Sequence, residues 1–396
     1  MNGAEDVTIG NIRDDFPSLT ECVHLNSAGI SPMPRCVYEE LSRLPTYVFQ
    51  HGPTVLLKQD ESVVRNRDAH QTLASFLGVD VDEVAFTSSF SNGVSLVLEG
   101  LTFRPGDEIV ISNQEHPALL IPLLNLAQRR DLVIRKFPVS FDPEVVLSSL
   151  ARLLTPRTRM VAVSHVTTED GTRLPAREVT RLAHQNDSFV LFDGAQSLGQ
   201  FPVNLHDLGC DFYAFLGYKW LYGPFTSAAL YIKRDVLDQV QVTWTGSRAN
   251  MSSSADTIDM DSFEFKPGAQ RFEFGGRPWA EESAMAVGVD YVTRLGLENV
   301  EKHAREMAQY LHLALASVPG ARIHSPTDPE QMTGIVTFSV DGVSGEELSE
   351  ALLQRWNILT RSALKKSSVR TSMAAFTSYG DLDLLVKAVA SVAAGK

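Results

Sequence analysis

Residues 189–224, FVLFDGAQSLGQFPVNLHDLGCDFYAFLGYKWLYGP, decide the fold of this chain. Residues 190–192 form a short apolar run typical of a buried strand, and Asp193 follows at its carboxyl end. A second such run, 212–215, precedes Lys219. In open α/β sheets, ligands bind outside the carboxyl ends of the strands. The sequence therefore predicts an acid and an amine in one crevice.

Asp193 and Lys219 have a specific chemical use as a pair. A lysine can form a Schiff base with an aldehyde, and a buried carboxylate can keep a pyridine nitrogen protonated. Pyridoxal 5'-phosphate (PLP) needs both groups. Taken singly, a turn aspartate and a solvated lysine are the commoner interpretations. Their order along the chain, with glycines and aromatic residues beside them, favours the cofactor.

Two segments, DGAQS (193–197) and CDFYAFLGYKWLYGP (210–224), resemble the signature of the class V aminotransferase family, which includes cysteine desulfurase-like and isopenicillin N epimerase-like enzymes. The resemblance begins near His24 and runs to the end of the chain. It implies the α/β fold of fold-type I PLP-dependent transferases: a large domain with a mainly parallel, doubly wound sheet, plus a smaller α+β domain. The alternation of strand and helix patterns predicts the same sheet.

The resemblance also implies a division of the chain. Residues 1–50 are expected to form an N-terminal segment that contributes to the small domain. Residues 51–275 are expected to form the large PLP-binding domain, and residues 276–396 the C-terminal small domain. Within the large domain, the polar stretch 243–266 predicts a mobile loop near the active site.

Composition and charge exclude several classes of function. Of the 396 residues, 44% are apolar and 21% charged, as in ordinary folded proteins. A net charge of −13 argues against nucleic acid as a partner. Cys22, Cys36 and Cys210 show neither metal-ligand nor CxxC spacing, so no metal site is expected. An acidic N-terminus and the lack of a long apolar run predict no membrane partner and a reduced, cytoplasmic setting.

A hydroxyl-rich turn follows the predicted strand 84–86 and precedes a helix predicted over 94–101. The backbone N–H groups at such a junction can bind a phosphate. The resemblance places this turn at the cofactor phosphate, and it places the histidine of the family's E-H-x-A element on the pyridine ring. The implied cofactor-binding residues are Lys219, Asp193, Gln196, His116, Ser89, Phe90, Ser91, Thr168, Tyr218, Gly276 and Arg277, of which Lys219, His116 and Asp193 are also the expected catalytic residues.

Several of these residues depart from the family's pattern. Thr168 stands where many relatives have an asparagine that touches the cofactor or the substrate. The Tyr218 hydroxyl can replace a phosphate donor that desulfurases place just before the lysine. Gly276 and Arg277 replace a threonine that reaches the phosphate of the neighbouring subunit, and an arginine there could supply a bidentate contact.

The substrate side is predicted from VRTS (369–372), which resembles the family's V-R-x-S strand. Its arginine, here Arg370, would clamp the carboxylate of a small-molecule amino acid substrate. Arg361 is a second candidate. Asn26 and Ala28 lie in a small-residue turn that the resemblance places beside the substrate. The resemblance further implies a homodimer with a shared active site.

The reaction is left open by the site residues alone. Released Lys219 is the natural proton carrier at Cα once the amino acid has joined the cofactor, but elimination, transamination and epimerisation all begin in this way. Desulfurases carry a nucleophilic cysteine before the carboxylate-binding arginine, and residues 362–367, SALKKS, contain no sulfur. We therefore expect a lyase that eliminates a β-substituent such as sulfur. An aminotransferase or an amino-acid epimerase is the alternative, and the intact site argues against a non-enzymatic PLP-binding regulator.

Overall fold

The computed structural model describes residue 9 and residues 12–54, 56, 68–251 and 261–395. Residues 252–260 of the loop predicted over 243–266 therefore lie outside the described residues. The strands are β1 (Val23–His24), β2 (Val84–Thr87), β3 (Glu108–Ser112), β4 (Val133–Phe137), β5 (Thr158–Ser164), β6 (Phe189–Asp193), β7 (Phe212–Leu216), β8 (Ala228–Ile232), β9 (Ala321–Ile323), β10 (Ile335–Val340), β11 (Ile358–Leu359), β12 (Arg361–Ala363) and β13 (Ser368–Ser372).

The described α-helices alternate with these strands through most of the chain. They are α1 (Arg35–His51), α2 (Ala69–Leu77), α3 (Phe90–Gly100), α4 (Pro117–Arg130), α5 (Pro143–Leu153), α6 (Ala176–His184), α7 (Leu205–Leu208), α8 (Trp279–Leu295), α9 (Leu297–Ala316), α10 (Gly345–Trp356) and α11 (Tyr379–Ala394). A bilayer-crossing helix is absent from the residues that the structure describes.

A seven-stranded sheet of order β2-β8-β7-β6-β5-β3-β4 forms the centre of the molecule. The pairs from β7 across to β4 are parallel, whereas β8 runs antiparallel to both of its neighbours. This arrangement confirms the predicted mainly parallel α/β fold. The parallel register places Ser164 of β5 level with Asp193 of β6, so both residues reach the same edge of the sheet.

Both faces of this sheet are covered, and this explains the unbroken apolar runs in its strands. In β6, Val190 and Phe192 belong to the core on one face, while Leu191 belongs to the core on the other. Gly194 follows β6 directly, and a Cβ at this position would collide with the ring of Tyr213. Only glycine therefore lets the chain turn so closely after Asp193.

Helix α3 begins at Phe90, one turn earlier than the helix predicted over 94–101. The Ser89 hydroxyl accepts a hydrogen bond from the backbone N–H of Asn92 at 3.1 Å and so caps the helix. The hydroxyl-rich segment therefore supplies both the cap and the first helical residues, and its non-helical part is shorter than the composition indicated.

A second, antiparallel sheet of order β12-β13-β10-β9 forms a smaller unit with helices α9 to α11. β1 pairs with β11, and the Ser372 N–H donates to the Leu25 carbonyl at 2.8 Å, so the N-terminal segment contacts this unit. Helix α8, however, packs in the core of the large sheet through Met285 and Val289. We therefore propose that the small domain begins within α9 rather than at residue 276.

Candidate active site

A cavity of about 240 Å³ lies at the carboxyl ends of β5, β6 and β7. It brings together nine of the eleven residues that sequence reasoning assigned to the cofactor. They are Ser89, Phe90, Ser91, His116, Thr168, Asp193, Gln196, Tyr218 and Lys219. The predicted crevice at the strand ends is thus present.

Lys219 lines this cavity and is buried, with 7% of its surface exposed. Burial lowers the pKa of its amine from 10.5 to about 8; Asp193 opposes this shift, and Arg370 and Arg361 add to it. Near pH 8, Lys219 is therefore a neutral amine in a substantial fraction of the protein molecules. Only the neutral amine can attack an aldehyde.

Asp193 is also buried, and its Oδ1 accepts a hydrogen bond from the Ala195 N–H at 2.8 Å. Burial raises the pKa of the carboxyl to about 6, although the Ala195 N–H and the Lys219 ammonium act in the opposite direction. A buried carboxylate with few donors is stabilised by a cationic partner. A protonated pyridine nitrogen is such a partner.

His116 precedes α4, and its Nδ1 accepts a hydrogen bond from the Ala118 N–H at 3.1 Å. In the neutral ring the proton must therefore reside on Nε2. Burial lowers the pKa of His116 to about 4, with further lowering by Lys219, Arg361 and Arg370. The ring is consequently neutral at physiological pH, which suits stacking on a pyridinium ring.

The N-terminus of α3 forms one wall of the cavity. The first N–H groups of a helix have no intrahelical acceptor, so those of Phe90 and Ser91 are available to a phosphate. The Phe90 side chain is packed into the core. The family resemblance implies a phosphate contact through the Ser91 hydroxyl, but this hydroxyl donates to the Ala118 carbonyl at 3.0 Å. The backbone N–H is therefore the group that Ser91 offers to a phosphate.

Gln196 lies at the centre of a hydrogen-bond network. Its Oε1 accepts from Trp220 Nε1 at 2.9 Å, and its Nε2 donates to the Ala28 carbonyl at 2.9 Å and to Thr168 Oγ1 at 3.1 Å. Both amide hydrogens are therefore in use. A hydrogen bond from Gln196 to the cofactor's ring oxygen would require one of these bonds to be exchanged.

Arg370 on β13 has only 1% of its surface exposed. Its Nη1 donates to the Thr168 carbonyl at 2.8 Å, while Nε and Nη2 lack a hydrogen-bond partner among the described residues. Burial lowers its pKa to about 10, so the guanidinium is still charged at neutral pH. Two unpaired donors on a buried cation match the geometry of a carboxylate.

A second, wider cavity of about 570 Å³ adjoins the first and shares His116, Tyr218, Lys219 and Phe225 with it. This outer chamber is lined by three of the predicted substrate-side residues, Asn26, Ala28 and Arg361. The described residues that line it include neither aspartate nor glutamate.

Gly276 and Arg277 line neither cavity of their own chain. The Arg277 side chain is buried, forms an ion pair with Glu282 and lies 3.8 Å from a carboxylate oxygen of Glu273. Its expected contact with the phosphate of a neighbouring subunit stays a prediction.

Some lining residues were not found from the sequence. Thr226 and Ser227 line the inner cavity from the segment before β8, and Ser88 and Ser164 line it from the ends of β2 and β5. Thr226 and Ser227 were missed because β8 was not predicted. The available signal was a pair of hydroxyl residues shortly after Lys219.

Comparison with known proteins agrees with this site. Residues 23–385 match the family model described as Aminotransferase class-V. The chain belongs to the class V aminotransferase family. The probable cysteine desulfurase of Methanothermobacter thermautotrophicus is 27% identical to this class V enzyme over 89% of the chain and 86% of that protein. The cysteine desulfurase of Dickeya dadantii is 30% identical over 96% of each chain.

Two solved structures of C-DES also resemble the class V enzyme, each at 26% identity. One is a variant with glycine covalently linked to the PLP cofactor; its TM-score is 0.88, and the match covers 96% of this chain and 98% of that one. The other is described as the cystine C–S lyase C-DES with its product cysteine persulfide; its TM-score is 0.87, with coverage of 95% and 99%.

The class V enzyme is therefore PLP-dependent, and the predicted cofactor and enzyme class are confirmed. The residues of the cavity fit this cofactor. A buried amine, a buried carboxylate and a helix N-terminus line one space. The charge of the Arg370 guanidinium, of which Nε and Nη2 have no partner among the described residues, lowers the pKa of Lys219. The roles of the individual residues stay predictions.

Proposed function

We propose that the class V enzyme is a C–S lyase that eliminates sulfur from the β-carbon of a cystine-like amino acid. The observation that carries this proposal is the turn between β12 and β13, which holds Leu364, Lys365 and Lys366 and no cysteine. The site therefore has the frame of a desulfurase without the thiol at this turn. The similarity to the cystine C–S lyase C-DES supports the same reaction.

Bound PLP withdraws electrons from Cα of the amino acid, so that the α-proton becomes acidic and a β-substituent can leave. The Asp193 carboxylate would keep the ring nitrogen protonated. The Lys219 amine, with a pKa of about 8, would accept the α-proton, because a base works best when its pKa lies near the working pH. Arg370 would hold the α-carboxylate through Nε and Nη2.

The outer chamber would receive the leaving group. Arg361 lines it, and the described lining has no acidic side chain that would repel an anion. Cystine extends beyond its sulfur atoms and carries a second carboxylate, which Arg361 could bind. We therefore propose an extended disulfide or thioether amino acid that carries a second carboxylate as the substrate class.

The test is incubation of the purified, PLP-loaded enzyme with cystine, with cysteine and with cysteine S-conjugates. We expect pyruvate together with a thiol or persulfide, and a faster reaction with cystine than with cysteine. Failure to form pyruvate from any of them would contradict the proposal. Amine exchange that depends on a keto acid would indicate an aminotransferase, and deuterium entry at Cα without substrate loss would indicate an epimerase.

We also propose a homodimer with its active sites near the interface. Phe225, a large apolar side chain that lines both cavities, is 63% exposed. A subunit interface beside the cavities would bury this side chain. Sedimentation of the holoenzyme as a monomer at micromolar concentration would contradict this proposal.

A further inference from the structure

Glu115 is a buried carboxylate that has no place in the roles described above. It directly precedes His116, and its Oε1 accepts a hydrogen bond from Ser112 Oγ at 2.5 Å. Its Oε2 accepts from the N–H of Ser164 at 3.0 Å and from the Ser164 hydroxyl at 2.7 Å. Both of its oxygens therefore accept from neutral donors, and the side chain joins the end of β3 to the end of β5.

Ser164 connects Glu115 to the active site. It lines the inner cavity, and it is the register partner of Asp193 on the neighbouring parallel strand. Paired residues on parallel strands project from the same face of the sheet, and the strands lie about 4.8 Å apart. The Glu115 carboxylate therefore lies next to Ser164 on the side of the sheet where Asp193 meets the cavity.

The surroundings of Glu115 shift the pKa of its carboxyl in two opposite directions. Burial raises the pKa of its carboxyl to about 7, and the negative charge of Asp193 adds to this, while the Ser112 and Ser164 donors lower it. Asp193 is the charged group that contributes to this shift, and His116, the neighbour in sequence, is neutral at this pH. A cation placed in the cavity would favour the ionised form of Glu115.

We propose that Glu115 is a second carboxylate of the PLP site, a positioning residue that acts on bound cofactor through Ser164 and Asp193. Its negative charge adds to that of Asp193 and stabilises the protonated, cationic form of the cofactor. The hydrogen bonds to Ser164 hold this charge beside the cavity without direct contact with the cofactor. The inference depends on PLP binding and is independent of the reaction that the enzyme catalyses.

The experiment is a pH titration of the visible absorption of the substrate-free holoenzyme. In E115Q the shape is kept and the charge is lost, so the cationic form of the cofactor is less stable. We expect the midpoint of the titration to fall by about one pH unit, which is typical of the loss of one nearby charge. An unchanged midpoint would overturn the proposal.

E115D distinguishes an effect of charge on the midpoint from an effect of packing, because it keeps the carboxylate but shortens the side chain. Its midpoint should stay closer to that of the wild type than the midpoint of E115Q. An equal fall in both variants would mean that packing, and not charge, causes the effect, and would overturn the proposal. If E115Q fails to fold, S164A serves instead: it removes the hydroxyl donor, favours neutral Glu115 and should also lower the midpoint.

E108Q is the matched control. Glu108 is a buried carboxylate at the opposite end of β3, where it accepts hydrogen bonds from Arg135 at 2.6 Å and Thr155 at 2.8 Å. Its loss should lower the melting temperature but leave the midpoint unchanged. A fall in E108Q as large as in E115Q would show that the midpoint reports general destabilisation, and would overturn the proposal.

Discussion

Substitution of Arg370 by lysine tests the proposed carboxylate clamp directly. The guanidinium donates through Nη1 to the Thr168 carbonyl, and its Nε and Nη2 have no partner among the described residues. Lysine keeps the charge but offers a single nitrogen in place of two parallel donors. The loss of one hydrogen bond to a charged group costs about 1.5–3 kcal/mol. R370K should therefore bind an amino acid about 10- to 150-fold more weakly.

The assay is titration of the holoenzyme with an amino acid that has no β-leaving group, such as alanine, followed through the visible absorption of the cofactor. R322K is the control, because Arg322 lies in the same small sheet but is exposed and paired with Asp341. Its dissociation constant should equal that of the wild type. If R370K binds alanine as tightly as the wild type, or if it loses PLP instead, Arg370 does not clamp the α-carboxylate.

Four further outcomes follow from the structure. K219A should leave no borohydride-stable link between protein and PLP, and peptide mapping that finds such a link elsewhere would contradict the assignment. Because the pKa of Lys219 is about 8, the rate at which the apoprotein binds PLP should rise with pH and reach a plateau above pH 8. Stopped-flow absorption measures this rate, and a rate that does not change with pH would contradict the prediction. D68A removes the helix cap that accepts from the Gln71 N–H, so the free energy of unfolding measured in urea should fall by about 1 kcal/mol. K365G should raise the free energy of unfolding by about 0.5 kcal/mol, because Lys365 has a φ of 55°, which glycine adopts without strain. A rise in D68A or a fall in K365G would contradict the corresponding prediction.

The parallel part of the fold could be predicted because its information is local. The strands at 190 and 212 are apolar runs that end in glycine-containing turns, and this pattern is visible without knowledge of any partner strand. The position of β2 at the edge could not be predicted in the same way. It depends on antiparallel pairing with β8, about 140 residues later in the chain.

The site could be predicted to the level of residue types at strand ends. Lys219, Asp193 and His116 each lie at or shortly after the end of a strand, and the topology brings such positions together. The hydrogen bonds could not be predicted, because they depend on side-chain geometry across distant segments. The amide of Gln196 is already occupied, and the guanidinium of Arg277 faces Glu282, yet neither fact leaves a mark in the sequence.

The turn at residues 364–366 has a consequence for the fate of sulfur. All three residues have positive φ, so β12 reverses tightly into β13 where a desulfurase carries its thiol. Under the proposed function, sulfur is never attached to the protein, and it departs as a small diffusing molecule. Its delivery is then governed by concentration and chemical lifetime in solution, and no acceptor protein has to dock on the enzyme to collect it.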